Sequence, residues 1–318
     1  MKTRMLGRTG IAVPELCFGG NVFGWTIDQA ASFRILDGLA ERRLNFIDTA
    51  DVYSAWVDGN QGGESETIIG HWLKKTGKRD QIILATKVGK PMGKGKEGLS
   101  AAYIKQAVEA SLRRLQTDYI DLYQSHSDDE TVPLEETLGA FDALIKEGKV
   151  RAIGASNYSG VRLAQALRIS EQNGLARYET LQPQYNLYDR QDYEHDLEPI
   201  VTAHGVGVIN YYALASGFLS GKYRAKEDAA KSKRGEKVVS TYLNTRGLRI
   251  LHALDAVSER YRATPTQVAL AWQIQRPGIT APIVSATSLE QLDEVAKALT
   301  LTLHDDDYAL LEQASAWR

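Results

Sequence analysis

Asp48 and Tyr53 lie five residues apart in the run Phe46-Ile-Asp-Thr-Ala-Asp-Val-Tyr53, and Lys87 and His126 each close a later strand-like segment. These side chains can tune one another's protonation. A phenol with an ordinary pKa of about 10 is a poor acid at neutral pH, but a neighbouring ammonium favours its ionised form and draws the value down. Lys87 is the candidate ammonium, Asp48 the carboxylate that keeps it charged, and His126 a group that orients a carbonyl oxygen or shares the proton. The chemistry they could do together is proton donation by Tyr53 to a carbonyl. Taken singly, each has a plainer use: Asp48 as a strand-end cap, Tyr53 as a half-buried wedge, Lys87 as a snorkelling lysine and His126 as a satisfied polar residue. Convergence separates the two readings.

Convergence requires elements that bring the four to one rim. Short β-branched runs alternate with longer amphipathic stretches along the whole chain. Strands are expected around 16–18, 44–48, 81–87, 119–126, 150–157, 180–185, 207–211 and 280–285, with helices between them, among them 100–115 and 134–146. About eight such units predict an α/β fold, a (β/α)8 TIM barrel, whose active site sits at the C-terminal ends of the strands. Asp48, Lys87 and His126 fall at those ends of the second, third and fourth strands, and Tyr53 in the loop after the second. Ser100 and Thr264, the latter before Pro265, are candidate helix caps. Residues 3–11, with Thr9-Gly10 as the turn, predict an N-terminal β-hairpin on the barrel floor. The one long break in the rhythm is 220–244, expected as a functional loop. No linker divides the chain, so a single domain over 1–318 is expected.

Composition narrows the partners. Across 318 residues the net charge is −2, with 43% hydrophobic and 25% charged residues. There is no basic excess of the kind that nucleic acid or anionic membranes select. A small-molecule substrate and a cytoplasmic location are expected, since no run approaches the ~20 apolar residues that span a bilayer. Oligomeric state is not legible. The single cysteine, Cys17, reads as a core residue, and the six histidines lack metal-ligand spacing.

Six motifs together resemble the aldo-keto reductase family over nearly the whole chain: Phe46-Ile-Asp-Thr-Ala-Asp-Val-Tyr53, Ala85-Thr-Lys87, Asp121-Leu-Tyr-Gln-Ser-His126, Ile153-Gly-Ala-Ser-Asn157, Leu181-Gln-Pro-Gln-Tyr-Asn186 and Leu214-Ala-Ser-Gly-Phe-Leu-Ser-Gly-Lys222. The last three are most similar to the branch holding bacterial aryl-alcohol-dehydrogenase-like reductases and potassium-channel β subunits. The resemblance implies a catalytic tetrad of Asp48, Tyr53, Lys87 and His126. It also implies Ser156, Asn157 and Gln182 on the nicotinamide carboxamide, Tyr211 stacked on the ring, and Gly217, Leu219 and Lys222 near the pyrophosphate. Gln291 and Glu294 would meet the adenosine. The implied activity is reduction of aldehydes, and of some ketones, with NADPH; the alternative is a cofactor-binding regulatory subunit with little turnover.

Some positions depart from the family pattern. Tyr211-Tyr-Ala-Leu214 stands where Tyr-Ser-Pro-Leu is common, Ser285 where a glycine is usual, and Val295 where an asparagine is common. Residues 281–294 contain no lysine or arginine, although a 2′-phosphate needs charge-assisted donors. The loop cations Lys222, Arg224, Lys231, Lys233 and Arg234 are the expected source of that charge, which favours NADPH over NADH. Trp25 and Trp56 are candidates for lining a substrate pocket, or else packed rim aromatics. Gly93-Lys-Gly-Lys-Glu-Gly98 matches a dinucleotide fingerprint, but the acids at the right distance begin the next strand instead of ending it, so it is read as a decoy.

Overall fold

The computed structural model describes residues 2–232 and 234–317. Strands β1 (Thr3–Met5) and β2 (Ala12–Pro14) form an antiparallel hairpin. Its turn is locally determined: Thr9 Oγ1 donates to the Leu6 carbonyl at 2.7 Å and accepts the Ile11 N–H at 3.0 Å. Gly10 supplies the φ of +75° that closes it. The hairpin extends to Pro14, beyond the span expected from the sequence.

Eight parallel strands follow: β3 (Cys17–Gly19), β4 (Phe46–Asp48), β5 (Ile83–Val88), β6 (Ile120–Ser125), β7 (Val150–Ser156), β8 (Tyr178–Gln182), β9 (Gly207–Val208) and β10 (Ile283–Val284). Each from β3 to β8 pairs with its successor, and β10 pairs with β3. A bridge from Val208 to Ile279 and a 2.8 Å bond from the Ile283 N–H to the Asn210 carbonyl join the two ends. The sheet is thus closed into the expected barrel, and its edges are paired. Strands β8, β9 and β10 depart most from the spans the sequence indicates. Pro183 has no N–H to continue the ladder beyond Gln182. The last two strands keep only two ladder residues each, and the Asn210 side-chain amide beyond β9 donates to the Tyr185 carbonyl and Gln273 Oε1, both at 2.7 Å.

The helices are α1 (Gln29–Glu41), α2 (Glu64–Thr76), α3 (Ala101–Leu115), α4 (Leu134–Lys146), α5 (Gly160–Asn173), α6 (Glu198–His204), α7 (Gly235–Tyr242), α8 (Thr245–Tyr261), α9 (Pro265–Gln275), α10 (Leu289–Lys297) and α11 (Asp305–Ser315). Ser100 caps α3, and Thr264 caps α9 with Pro265 at the first position, as expected. Helices α1 to α6 pack in sequence, and α9 and α10 complete the ring against α1. The 220–244 segment is not a structureless loop: residues 226–231 form a 3-10 turn, and α7 buries Val238 and Tyr242. Asp228 organises that turn by accepting the N–H groups of Arg224 and Ala225. The Gly93 stretch folds on itself, Lys96 N–H donating to the Gly93 carbonyl at 3.0 Å.

Two apolar layers follow from the strand period of two. Phe46, Ala85, Leu122, Ala152 and Cys17 point inward, and the hairpin's Leu6, Ile11 and Val13 plug the floor beneath them. Ile47, Leu84, Tyr123 and Ile153 point outward into the helix layer. Cys17 is fully buried, and loss of water pushes its thiol well above the ordinary range, which leaves it inert.

Candidate active site

The same alternation lifts polar side chains into the barrel mouth. Asp48 stands two residues after Phe46, Lys87 two after Ala85, Gln124 two after Leu122 and Gln182 two after Thr180, so all four face inward one layer above the apolar floor. Parallel register does the rest: Asp48 pairs with Ala85, Lys87 with Gln124 and Ser156 with Gln182. Gly154 accommodates the crowding, since a Cβ there would lie 2.1 Å from Thr180 Oγ1.

Lys87 is the hub. Its Nζ donates to Asp48 Oδ2 at 2.5 Å, to the Thr49 carbonyl at 2.8 Å and to Tyr53 OH at 3.2 Å. Asp48 Oδ1 accepts from Gln124 Nε2 at 2.9 Å and Gln182 Nε2 at 3.0 Å. Burial alone would lower the lysine, but the Asp48 charge outweighs it and holds Lys87 above its ordinary range. The His126 ring meets the Tyr53 ring edge-on at 5.8 Å. Burial, then Lys87 and Lys90, hold His126 well below the ordinary histidine range, so it is a neutral imidazole at pH 7.

One expectation is corrected. Lys87 does pull Tyr53 down, but loss of water around the phenol outweighs it, with Asp48 adding to the rise, and the net shift is upward. The hydroxyl therefore stands protonated at neutral pH. Trp25 and Trp56 are brought beside this group: their rings meet at 5.4 Å, and Trp56 meets Tyr53 at 5.5 Å.

A model of the Aldo/keto reductase family matches residues 15–316. The chain belongs to that family. It is 34% identical to the uncharacterized oxidoreductase YrpG of Bacillus subtilis, over 98% of this chain and 95% of that protein. It is 31% identical to a probable voltage-gated potassium channel subunit beta of Arabidopsis thaliana, over 94% and 91% of the two chains. Protein tas of Escherichia coli is 29% identical, over 98% and 97%. The branch expected from the motifs is the one these relatives occupy. Oxidoreductase chemistry follows from family membership, and aldo/keto reductases generally use NAD(P)H on small carbonyl compounds.

In this aldo/keto reductase four of the residues expected at the cofactor, Ser156, Asn157, Gln182 and Tyr211, form one hydrogen-bonded group at the mouth. Ser156 Oγ donates to the Gln182 carbonyl at 2.8 Å, and Asn157 Nδ2 donates to the His126 carbonyl at 2.8 Å. Tyr211 OH donates to Asn157 Oδ1 at 2.8 Å. Gly217 and Leu219 lie in the turn Ala215–Ser220, where Ala215, Ser216 and Gly217 all take positive φ. Gln291 Oε1, in the first turn of α10, accepts from the Thr287 N–H and hydroxyl, and Glu294, further along that helix, accepts from Thr264 Oγ1 at 2.8 Å. Ser285, in place of the usual glycine, is tied to the Gly19 carbonyl and Asn21 Oδ1.

The loop cations divide. Arg224 forks Asp255, and Lys231 pairs with Asp228, whereas Lys222 and Arg234 have no carboxylate partner among the described residues. Lys233 lies outside the described residues. Gln124 went unassigned in the sequence, although its place two residues before His126 on one strand face was the available signal. Nothing local marked Asp51, which is 1% exposed with neither carboxylate oxygen partnered among the described residues.

Proposed function

We propose that this aldo/keto reductase reduces aldehydes, and some ketones, with NADPH, Tyr53 giving its proton to the carbonyl oxygen. The observation that carries the reading is the contact of Tyr53 OH with Lys87 Nζ at 3.2 Å, with Lys87 held by Asp48. A unit charge pair at that separation attracts by roughly 5 kcal/mol at an effective dielectric of about 20. That exceeds the ~1.5–3 kcal/mol of one hydrogen bond to a charged group. Lys87 thus stabilises the phenolate as it forms, Asp48 keeps the ammonium charged, and neutral His126 can donate a hydrogen bond to the same oxygen. Trp25 and Trp56 would wall the approach.

The residues present fit a nicotinamide dinucleotide. Gly217 has a φ of +95°, and a Cβ there would sit 3.3 Å from Lys222 Nζ, so a phosphate can reach backbone and cation together. Ser156, Asn157 and Gln182 supply the donors and acceptors a carboxamide needs, exchanging their present internal partners, and Tyr211 offers a ring face. When bound, the reduced nicotinamide supplies hydride to the carbonyl carbon. The charge on Lys222, which has no carboxylate partner among the described residues, favours NADPH over NADH where it serves the 2′-phosphate that NADPH adds to the shared pyrophosphate.

Tyr53→Phe tests the proposal. It should still bind NADPH while turnover of a simple aromatic aldehyde falls about a hundredfold to ten-thousandfold; retained turnover would sink the assignment. The likeness to a potassium channel β subunit favours a second reading, a cofactor-binding regulatory subunit. Tight cofactor binding with turnover near zero over a panel of carbonyls would favour that second role.

A further inference from the structure

We infer that Lys90 selects the substrate: its ammonium, beside His126, receives the carboxylate of a short aldehyde acid whose carbonyl oxygen lies at Tyr53. The inference rests on the reductase reading above and adds the substrate class.

The segment from Gly89 to Gly98, which follows β5, includes the glycine-rich stretch that no role assigned so far absorbs. It is closed on itself, the Gly98 N–H donating to the Gly89 carbonyl at 3.0 Å and the Met92 N–H to the Lys96 carbonyl at 2.9 Å. It also rests on the chain that carries Tyr53: a Cβ on Gly62 would sit 2.8 Å from Met92 Cε. Lys90, Lys94 and Lys96 stand in it against one acid, Glu97. None of the three lysine side chains makes an ion pair or hydrogen bond among the described residues. The nearby acids are engaged elsewhere. Arg162 forks Asp128 at 2.6 and 2.9 Å, and Asp129 accepts the Leu99 N–H at 2.9 Å and the Thr131 hydroxyl at 2.6 Å. Glu97 stands near Tyr103 of α3.

Of the three lysines, Lys90 is the one beside the chemistry. The His126 N–H donates to the Val88 carbonyl at 2.8 Å, so the strand end from which Lys90 emerges lies against His126. Lys90 is half-buried, whereas Lys94 and Lys96 are exposed. Its charge reaches the imidazole, which it helps to keep neutral. The His126 ring in turn meets the Tyr53 ring at 5.8 Å. Lys87, the other ammonium here, is fully buried and already committed to Asp48, Thr49 and Tyr53.

The substrate class follows from that placement. A half-buried ammonium with no anionic partner has lost part of its water, and a carboxylate that reaches it gains a charge-assisted hydrogen bond in a setting of low dielectric. Tyr53 and His126 fix the carbonyl oxygen, and an ammonium beside the same histidine leaves room for only a few carbons between carbonyl and carboxylate. The residues assigned to the cofactor rise from β7 onward, so Lys90, after β5, stands on the half of the mouth left to the substrate.

The test compares 4-oxobutanoate with its methyl ester, in the wild-type protein and in Lys90→Gln, Lys90→Arg and Lys94→Gln. The ratio of kcat/KM for the acid to that for the ester should fall about tenfold to hundredfold in Lys90→Gln, the loss of a charge-assisted bond. Taking the ratio cancels any effect of the missing charge on His126, which both substrates share. Lys90→Arg should keep most of the ratio, Lys94→Gln should leave it alone, and the Kd for NADPH should hold in all three. An unchanged ratio in Lys90→Gln would overturn the inference, as would an equal fall in Lys90→Arg. An equal fall in Lys94→Gln would also overturn it, since the loop would then attract anions without seating one at Lys90. A weakened Kd for NADPH accompanying the fall would assign the cation to the cofactor instead. If neither aldehyde is reduced, the reductase reading fails separately. Calorimetric binding of 4-oxobutanoate to the NADP+-loaded protein then decides the point: weaker binding to Lys90→Gln supports the inference, and equal binding, or none to either protein, overturns it.

Discussion

Lys87 Nζ lies 2.5 Å from Asp48 Oδ2, and neither side chain is more than 3% exposed. A buried pair of this kind contributes little net stability over apolar residues of the same shape, yet removing one partner strands the other charge. Asp48→Asn should therefore lower stability by about 3–5 kcal/mol, read as a lower urea midpoint. Gln124 and Gln182, which both donate to Asp48 Oδ1, would lose an anionic acceptor as well. Adding Lys87→Met to Asp48→Asn should restore part of the loss. A double variant less stable than the single one would show that the lysine is not the stranded group.

Much of this was legible in the sequence because it follows from the strand period. Asp48, Lys87 and His126 follow inward-facing Phe46, Ala85 and Leu122 at even spacings of two, two and four, so the strand period places them. The 220–244 segment was not legible. Its turn depends on Asp228 reaching back to Arg224 and Ala225, and the stacking of Arg234 on Trp25 joins residues two hundred positions apart. The direction of the Tyr53 shift was misjudged for a related reason: the lysine is visible in a motif, whereas burial of the phenol is a property of the packed rim.

Asp51 predicts a pH dependence of stability. Burial, then the Glu66 charge, push its carboxyl well above the ordinary 3.8, and Arg114, which could oppose this, is engaged by Glu66 at 2.7 Å. A raised folded pKa means the native state holds its proton longer than the unfolded chain, so stability is full below about 3.8 and falls as pH rises through the folded pKa. Asp51→Asn lacks this loss. The difference between variant and wild-type urea midpoints should grow in the variant's favour from pH 5 to pH 8; parallel curves would refute the assignment.

His126 predicts a silence. With its pKa held well below 6.5 by burial and by Lys87 and Lys90, the imidazole should show no titration between pH 6.5 and 8 in nitrogen chemical shifts. The same depression means the unfolded chain takes up the proton first, so this residue's contribution to stability falls as pH drops below about 6.5. Lys87→Met removes the second cause and should move the titration upward. An inflection near 6.5 in the wild-type protein would place the ring in a wetter setting than the structure gives it.

The cofactor preference turns on Lys222. Of the described loop cations, Arg224 is spent on Asp255 and Lys231 on Asp228, while Lys222 Nζ stands beside the bare Cα of Gly217 and over the Tyr223 ring at 5.1 Å. A 2′-phosphate adds charge that a ribose hydroxyl lacks, so loss of one cation should weaken NADPH more than NADH. Lys222→Gln should raise the Kd for NADPH about tenfold relative to its effect on NADH, the scale of one hydrogen bond to a charged group. Arg224→Gln should leave the ratio of the two affinities where it was. Equal weakening of both cofactors by Lys222→Gln would place the ammonium on the pyrophosphate they share, and the preference would then have to come from elsewhere in the segment.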